Sequence, residues 1–349
     1  MAAIFPVITP SPAAPHRRSQ RTPSTEFIAL SKRLALLQSR LADQFGITTL
    51  YIGAGSALAV LDHVLHGKPL VMRDLDIFAC LNGNMTREKA FQMGAALECE
   101  RLGHFSQKDV RPRRRGNPNL PLPAAFDYNS GFGLFLIDGQ QQILDLTIFH
   151  QLEDMMLNGI MNVDRVRIRL DYQTSLIDQF RSLCNVSRLS SDEQDGLAHL
   201  GVEDDFDGYL SWRNDTALLV NDFDIRRAPL QTIIRIIRTF GKFSSPRISQ
   251  QTKLQLRRLL ESEQEDNSAF YTIRGLIKLL GDRNAVWGLK LLRELGGLNK
   301  VGVSVRQHLE PLLLCLDAPV HAGELRQMCL RIVQELSDRE LEMKLEGVH

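Results

Sequence analysis

Residues 47–65 read ITTLYIGAGSALAVLDHVL, and this stretch decides the fold of the N-terminal half. Ile47 to Ile52 is short and rich in β-branched residues, a composition that suits a strand. It stops at Gly53-Ala54-Gly55-Ser56, after which Ala57 to Leu65 carries apolar residues at helical spacing. The order strand, glycine turn, helix is the opening unit of a layered α and β domain.

Upstream, Phe27, Leu30, Leu34, Leu37 and Leu41 recur every three or four residues between Glu26 and Phe45, with Lys32, Arg33 and Arg40 between them. An amphipathic helix covering one side of a sheet is expected there. Downstream, Leu75-Asp76-Ile77-Phe78-Ala79 sets a carboxylate among hydrophobic residues, as on a half-buried strand, and a helix is expected from Thr86 to Leu102. Gly133 to Ile137 and Ile143 to Phe149 flank Asp138-Gly139, a dipeptide suited to a hairpin turn, so two antiparallel strands are expected. Beyond about residue 165 the β signals fade. Leu230–Phe243, Lys253–Leu260, Ala269–Leu280, Ala285–Leu295, Val305–Leu316 and Gly323–Leu341 all show helical periodicity. The expected layout is a disordered leader over 1–24, an α/β head over 25–165, a helical neck over 166–260 and a helical body over 261–349.

Composition narrows the function classes. At 349 residues the chain exceeds what one hydrophobic core usually organises. Hydrophobic residues at 44% and charged residues at 24% fit a globular protein, and no apolar run reaches the roughly 18 to 20 residues of a membrane span. The five cysteines are widely spaced without a CxxC pair, which argues against a disulfide framework or structural zinc and for a reducing compartment. The leader holds Pro6, Pro10, Pro12, Pro15 and Pro23 and no acidic residue before Glu26, while Arg17, Arg18 and Arg21 are basic. A disordered tail on a cytoplasmic protein is the expectation, with organellar targeting or secretion as the alternative.

Three features of the head can act together. Gly55-Ser56 lies where a strand turns into a helix, a place where backbone N–H groups and a hydroxyl can hold phosphate oxygens. Asp74 and Asp76 are two residues apart, so on a strand they share one face about 7 Å apart at Cα. Asp145 sits inside the apolar run Ile143 to Phe149, where an unpaired carboxylate is costly to bury. If its strand neighbours that of Asp76, three carboxylates converge. Such a cluster suits phosphoryl or nucleotidyl transfer on Mg2+ or Mn2+, because an oxygen donor set without His or Cys favours hard cations. In the alternative, Asp74 caps a turn, Asp76 pairs with Arg73, and Asp145 pairs with a neighbouring base.

The order of these motifs resembles the nucleotidyltransferase superfamily of the DNA polymerase β type, with Gly55, Ser56, Asp74, Asp76 and Asp145 at the signature positions. Farther along, Arg213-Asn214-Asp215-Thr216-Ala217-Leu218 through Asn221 is similar to the Arg-Arg-Asp-Phe-Thr-Ile-Asn segment of bacterial poly(A) polymerases and CCA-adding tRNA nucleotidyltransferases. Pro229-Leu230-Gln231 and Ile234 to Phe243 resemble the neck helix of the same enzymes. The resemblance spans roughly residues 45 to 260. It implies an α+β fold, with a mixed-sheet head and flanking helices followed by an all-helical neck and body. Asp74, Asp76 and Asp145 would then hold metal and act in catalysis, and Gly55, Ser56, Arg213 and Asp215 would bind the nucleoside triphosphate. The chain departs from the family at Ala57-Leu58-Ala59, where an Arg-Asp is usual, and at Arg227-Ala228 before Pro229. No nucleotide preference is therefore carried over.

Charge is patterned although the net value is only +1. Ile225 to Leu260 is basic throughout and contains no Asp or Glu, while Asp192 to Asp224 is acidic apart from Arg213. Arg235, Arg238 and Lys242 fall at i, i+3 and i+7, a stripe suited to RNA, opposite the apolar Ile233, Ile236, Ile237 and Phe240. Arg113-Arg114-Arg115 forms a second basic candidate for RNA phosphates. Met155, Met156 and Met161 are expected between head and neck, and Trp212 either stacks on a base or anchors the neck. The expected reaction is transfer of a nucleoside monophosphate to the 3′ end of RNA, with tRNA as one candidate. A protein or small-molecule acceptor, or an inactive RNA-binding chain, are the alternatives. The sequence expects no membrane partner and does not fix the oligomeric state.

Overall fold

The computed structural model describes residues 23–70, 75–81, 92–93, 95–96, 104–110, 131–138, 141–149, 152–156, 159–171, 176–179, 197, 200–220, 229–261, 269–316, 318 and 320–345. Asp74, Arg113, Arg114, Arg115 and most of the helix expected over 86–102 lie outside them, although residues 92–93 and 95–96 are helical.

The head begins with α1 (Thr25–Phe45), capped by the Ser24 hydroxyl, which accepts from the Phe27 N–H at 3.2 Å. Gly46 ends it at φ 70°, a left-handed position that favours glycine. Phe27, Leu34, Leu37 and Leu41 are buried, as the periodicity predicts. Next come β1 (Thr49–Gly53), α2 (Ala54–His66) and β2 (Leu75–Cys80). β3 (His104–Val110), β4 (Gly131–Asp138) and β5 (Gln141–Phe149) continue the sheet. The expected hairpin is present, with Asp138 opposite Gln141.

The seven strands among the described residues, which include β6 (Arg167–Asp171) and β7 (Val202–Glu203), belong to one sheet in the order β3-β4-β5-β2-β1-β6-β7. It is mixed, because β2 and β5 run parallel while the other pairs are antiparallel. The sheet also continues past residue 165, where the sequence reading ended the head. β6 (Arg167–Asp171) pairs with β1 along its whole length, and β7 (Val202–Glu203) pairs with β6. β6 has a two-residue period: Ile168 and Leu170 are buried in the core, while Arg169 and Asp171 are exposed. The charged alternates hide the strand from a search for apolar runs.

The period of two divides the sheet into a core face and an open face. Leu50, Ile52, Leu75, Ile77, Ala79, Leu144, Leu146, Ile148, Ile168 and Leu170 are buried in the main hydrophobic core with α1 and α2. The other face carries Tyr51, Phe78 and Phe149, which pack with Met155 from the short α3 (Leu152–Met156) as a separate small cluster. Met155 and Met156 thus cover the sheet rather than filling a head–neck seam, whereas Met161 bridges to Leu219 on the approach to the neck.

After α4 (Gly208–Arg213) the chain is helical: α5 (Pro229–Phe240), α6 (Gln250–Glu261), α7 (Ala269–Gly281), α8 (Ala285–Glu294), α9 (Val303–Cys315) and α10 (Ala322–Leu345). Ile233, Ile236, Ile237 and Phe240 on α5 are buried as expected. Each such burial contributes roughly 1.5–3 kcal/mol. Gly275 lets α7 approach α5, since a Cβ there would stand 3.3 Å from Ile234 Cγ2. No helix among the described residues is long and apolar enough to cross a membrane. Among the described residues, Cys80, Cys315 and Cys329 are thiols, not halves of disulfides.

Candidate active site

The glycine turn is built residue by residue. Gly53 ends β1 against the Phe78 ring, where a Cβ would come 2.1 Å from Cε2, so any side chain would force that ring aside. Ala54 adopts φ 48° and donates its N–H to the Val166 carbonyl at 3.1 Å. Gly55 follows Ala54 in the first turn of α2. Ser56 is buried, and its Oγ accepts from the Asp76 N–H at 3.0 Å. That bond fastens the turn to the strand carrying the candidate carboxylate.

Asp76 and Asp145 are direct register partners on the parallel strands β2 and β5. Register partners on adjacent strands share a face, with backbones about 4.8 Å apart, so both carboxylates rise together from the open face. Each is half-buried. Thr147, two residues after Asp145 and on the same face, donates its hydroxyl to Asp145 Oδ1 at 3.3 Å. Thr147 was legible from the two-residue period but was not singled out. Two carboxylates side by side, with a hydroxyl beside one of them, are an oxygen donor set that fits a hard divalent cation. Among the described residues no group of three His, Cys, Asp or Glu side chains is placed to hold a metal. Asp74, the remaining member of the expected cluster, lies outside them.

Toward β6 and β7 the same face carries Arg167 and Arg169 with Asp171 and Glu203. Arg167 is buried and donates from Nη2 to the carbonyls of Met155 and Met156 at 2.7 and 3.0 Å, which holds α3 down on the sheet. Burial pushes its pKa down, against the pull of Glu203, its register partner on β7. Burial likewise pushes Glu203 up.

The neck candidates separate. Arg213 ends α4 and is exposed. Asp215, at φ 53°, accepts from the Ser244 N–H on Oδ1 at 3.1 Å, which ties the Arg213 segment to the far end of α5. Trp212 is an anchor: its indole N–H donates to Asp62 Oδ2 at 3.2 Å, and its ring packs on Phe243. Asn162 organises the segment from beneath. It is fully buried, its Oδ1 accepts from the Leu218 N–H at 2.8 Å, and its Nδ2 donates to Ser211 Oγ at 2.8 Å. A lone asparagine gives no sequence signal of that role.

The expected basic stripe does not stand as one surface. Arg235 is exposed. Arg238 is engaged by Asp282 through Nε at 2.8 Å and Nη2 at 3.4 Å, so it closes the seam between α5 and α7. Lys242 lies past the end of α5, and its Nζ would be 3.9 Å from a Cβ on Gly55. His63 and His66 are structural: His63 Nδ1 lies 2.8 Å from the Lys68 carbonyl and His66 Nε2 lies 2.9 Å from the Tyr209 hydroxyl.

No protein-family model matches the chain, and no curated protein matches its sequence. Solved structures do. The Thermotoga maritima CCA-adding enzyme complexed with tRNA aligns over 93% of this chain and 74% of its own, at 16% identity and a TM-score of 0.50. The chain has the fold of the CCA-adding enzymes. A second structure, a CCA-adding enzyme in complex with ATP, aligns over 91% of this chain and 66% of its own, again at 16% identity and a TM-score of 0.50. The mixed-sheet head followed by helical neck and body, expected from the sequence, is thus an RNA nucleotidyltransferase-like fold.

Proposed function

We propose that the protein is a metal-dependent nucleotidyltransferase that moves a nucleoside monophosphate from a nucleoside triphosphate to the 3′ end of RNA. The observation that carries this reading is the register pair Asp76 and Asp145, joined through Ser56 to the glycine turn. ATP in one neighbour of this fold and tRNA in another favour the same substrate classes.

In this reading Asp74, Asp76 and Asp145 hold Mg2+ or Mn2+, which supplies charge neutralisation at the triphosphate. Gly55 and Ser56 bind phosphate oxygens, and Arg213 meets the nucleotide. Asp215 sets the neck turn against the Arg213 segment and thereby positions it. Asp145 accepts the proton of the attacking 3′-hydroxyl, with Thr147 fixing its carboxylate. The new bond joins that oxygen to the α-phosphorus as the bond to pyrophosphate breaks. Arg235 and the Arg113–Arg115 triplet attract the RNA backbone. The test is incubation with labelled ATP, CTP, GTP or UTP, total RNA and either metal. Label is expected in RNA, and its absence with every nucleotide and both metals overturns the reading.

One observation favours a different acceptor. With Arg238 engaged by Asp282, the neck offers RNA a weaker surface than the sequence stripe suggests. The same chemistry would then modify a protein or small molecule, detected as a nucleotide-sized mass adduct with no RNA extension.

A further inference from the structure

We propose that Lys242 is a triphosphate-binding residue that reaches the head site from the neck. The inference rests on the nucleotidyltransferase reading and assigns to phosphate a side chain that the sequence placed on an RNA-facing stripe.

Gly55 presents an open face. Among the described residues, and setting aside Gly55 itself, its two chain neighbours and the nearby backbone of α2, the one heavy atom within 4 Å of a Cβ built on it is Lys242 Nζ at 3.9 Å. An ammonium therefore stands over a bare patch of backbone, next to the serine that holds the Asp76 strand. Among the described residues no carboxylate pairs with Lys242. The neighbouring chain cannot supply one either, since Ile225 to Leu260 contains no acidic residue.

The position of that ammonium is built in, because the backbone of the turn is held on every side. The Lys242 N–H donates to the Thr239 carbonyl at 3.2 Å. Asn284 Nδ2 donates to the carbonyls on either side of Lys242, Gly241 at 2.9 Å and Phe243 at 3.0 Å. The Ser244 N–H donates to Asp215, and the Phe243 ring is buried against Trp212 and Phe240. The lysine side chain is exposed, and its ammonium lies toward Gly55. A flexible residue placed merely for solvation has no need of a turn fixed at so many points.

A phosphate lying on the Gly55 face would meet Nζ as a charge-assisted contact. A monophosphate held by its base and sugar near Arg213 has less need of that contact. Lys242 should therefore discriminate by phosphate number.

Binding of ATP and AMP, each with magnesium, to the full chain and to Lys242→Met tests this by titration calorimetry. The variant keeps the length of the side chain and removes its charge. ATP affinity should fall roughly tenfold to a hundredfold, as for the loss of a hydrogen bond to a charged group. AMP affinity should change by less than about threefold, and Lys242→Arg should recover part of the ATP affinity. Equal losses for ATP and AMP, or none, overturn the assignment while leaving the head site standing. A labelled RNA oligonucleotide that loses affinity in Lys242→Met, with ATP unaffected, returns the residue to the RNA surface. If the wild-type chain binds none of the four triphosphates, the reading of the head site falls and Lys242 falls with it.

Discussion

On the open face of the sheet, Asp76 and Asp145 stay together because backbone hydrogen bonds join their strands from Leu75 to Cys80. On the neck, Arg235, Arg238 and Lys242 part within two turns: one is exposed, one is bound to Asp282 just past the end of α7, and one reaches toward the glycine turn of the head. The two regions differ in what fixes a side chain's neighbour. In a sheet the ladder fixes both direction and partner, so one register assignment places every residue on the face. A helix fixes direction only, and the partner depends on whatever packs alongside. A charged stripe on a buried helix is therefore three separate questions.

The largest expected effect lies on the sheet. Asp76→Asn removes a charge while keeping the backbone N–H that Ser56 accepts, so the turn stays attached. Nucleotide transfer should fall roughly a thousandfold or more, with a melting temperature close to that of the wild type. Transfer within tenfold of wild type would show that register pairing places these carboxylates without making them a working pair.

The neck should respond in the opposite way. Arg238→Ala breaks an ion pair whose side chains are only 21% and 15% exposed, leaving Asp282 without that partner. A loss of about 1–3 kcal/mol in denaturant unfolding is expected. RNA affinity should change by less than about threefold, and Asp282→Ala should cost a similar amount of stability. A large loss of RNA affinity without loss of stability would restore the continuous stripe and erase the contrast between the two regions.

The same distinction explains what could be read from the chain alone. α1, the β1–α2 unit and the β4–β5 hairpin announce themselves because their signals are local: spacing of apolar residues, a glycine turn, a hairpin dipeptide. β6 carried a signal as well, in the alternation Val166, Ile168, Leu170 against Arg167, Arg169, Asp171. It is obscured only when charged residues are taken to exclude a strand. The juxtaposition of Asp76 and Asp145 was conditional on strand order, which no local pattern states. The Arg238–Asp282 pair, the approach of Lys242 to Gly55 and the Asn162 hub join residues far apart in sequence, so they emerge only from packing.

The smallest effect probes whether the far edge of the sheet behaves like its centre or like the neck. Glu203 faces Arg167 across the β6–β7 ladder, yet burial rather than that arginine dominates its carboxyl and holds its pKa above the usual carboxylate range. A raised folded-state pKa means that the folded protein holds the proton more tightly than the unfolded chain. The stabilisation is complete below the usual carboxylate range and is lost as pH rises through the raised value. Glu203→Gln stays neutral throughout, so the stability of the variant relative to wild type should grow with pH across that window. For a half-buried, solvent-screened group the gain should be under about 1 kcal/mol as pH rises through and above the usual carboxylate range. Urea unfolding at several pH values measures it. A difference that shrinks as pH rises would mean that Arg167 outweighs burial. The β7 edge would then be a partner-specific ion pair like Arg238 and Asp282, and the ladder's control of charge placement would end at the strands that carry the carboxylates.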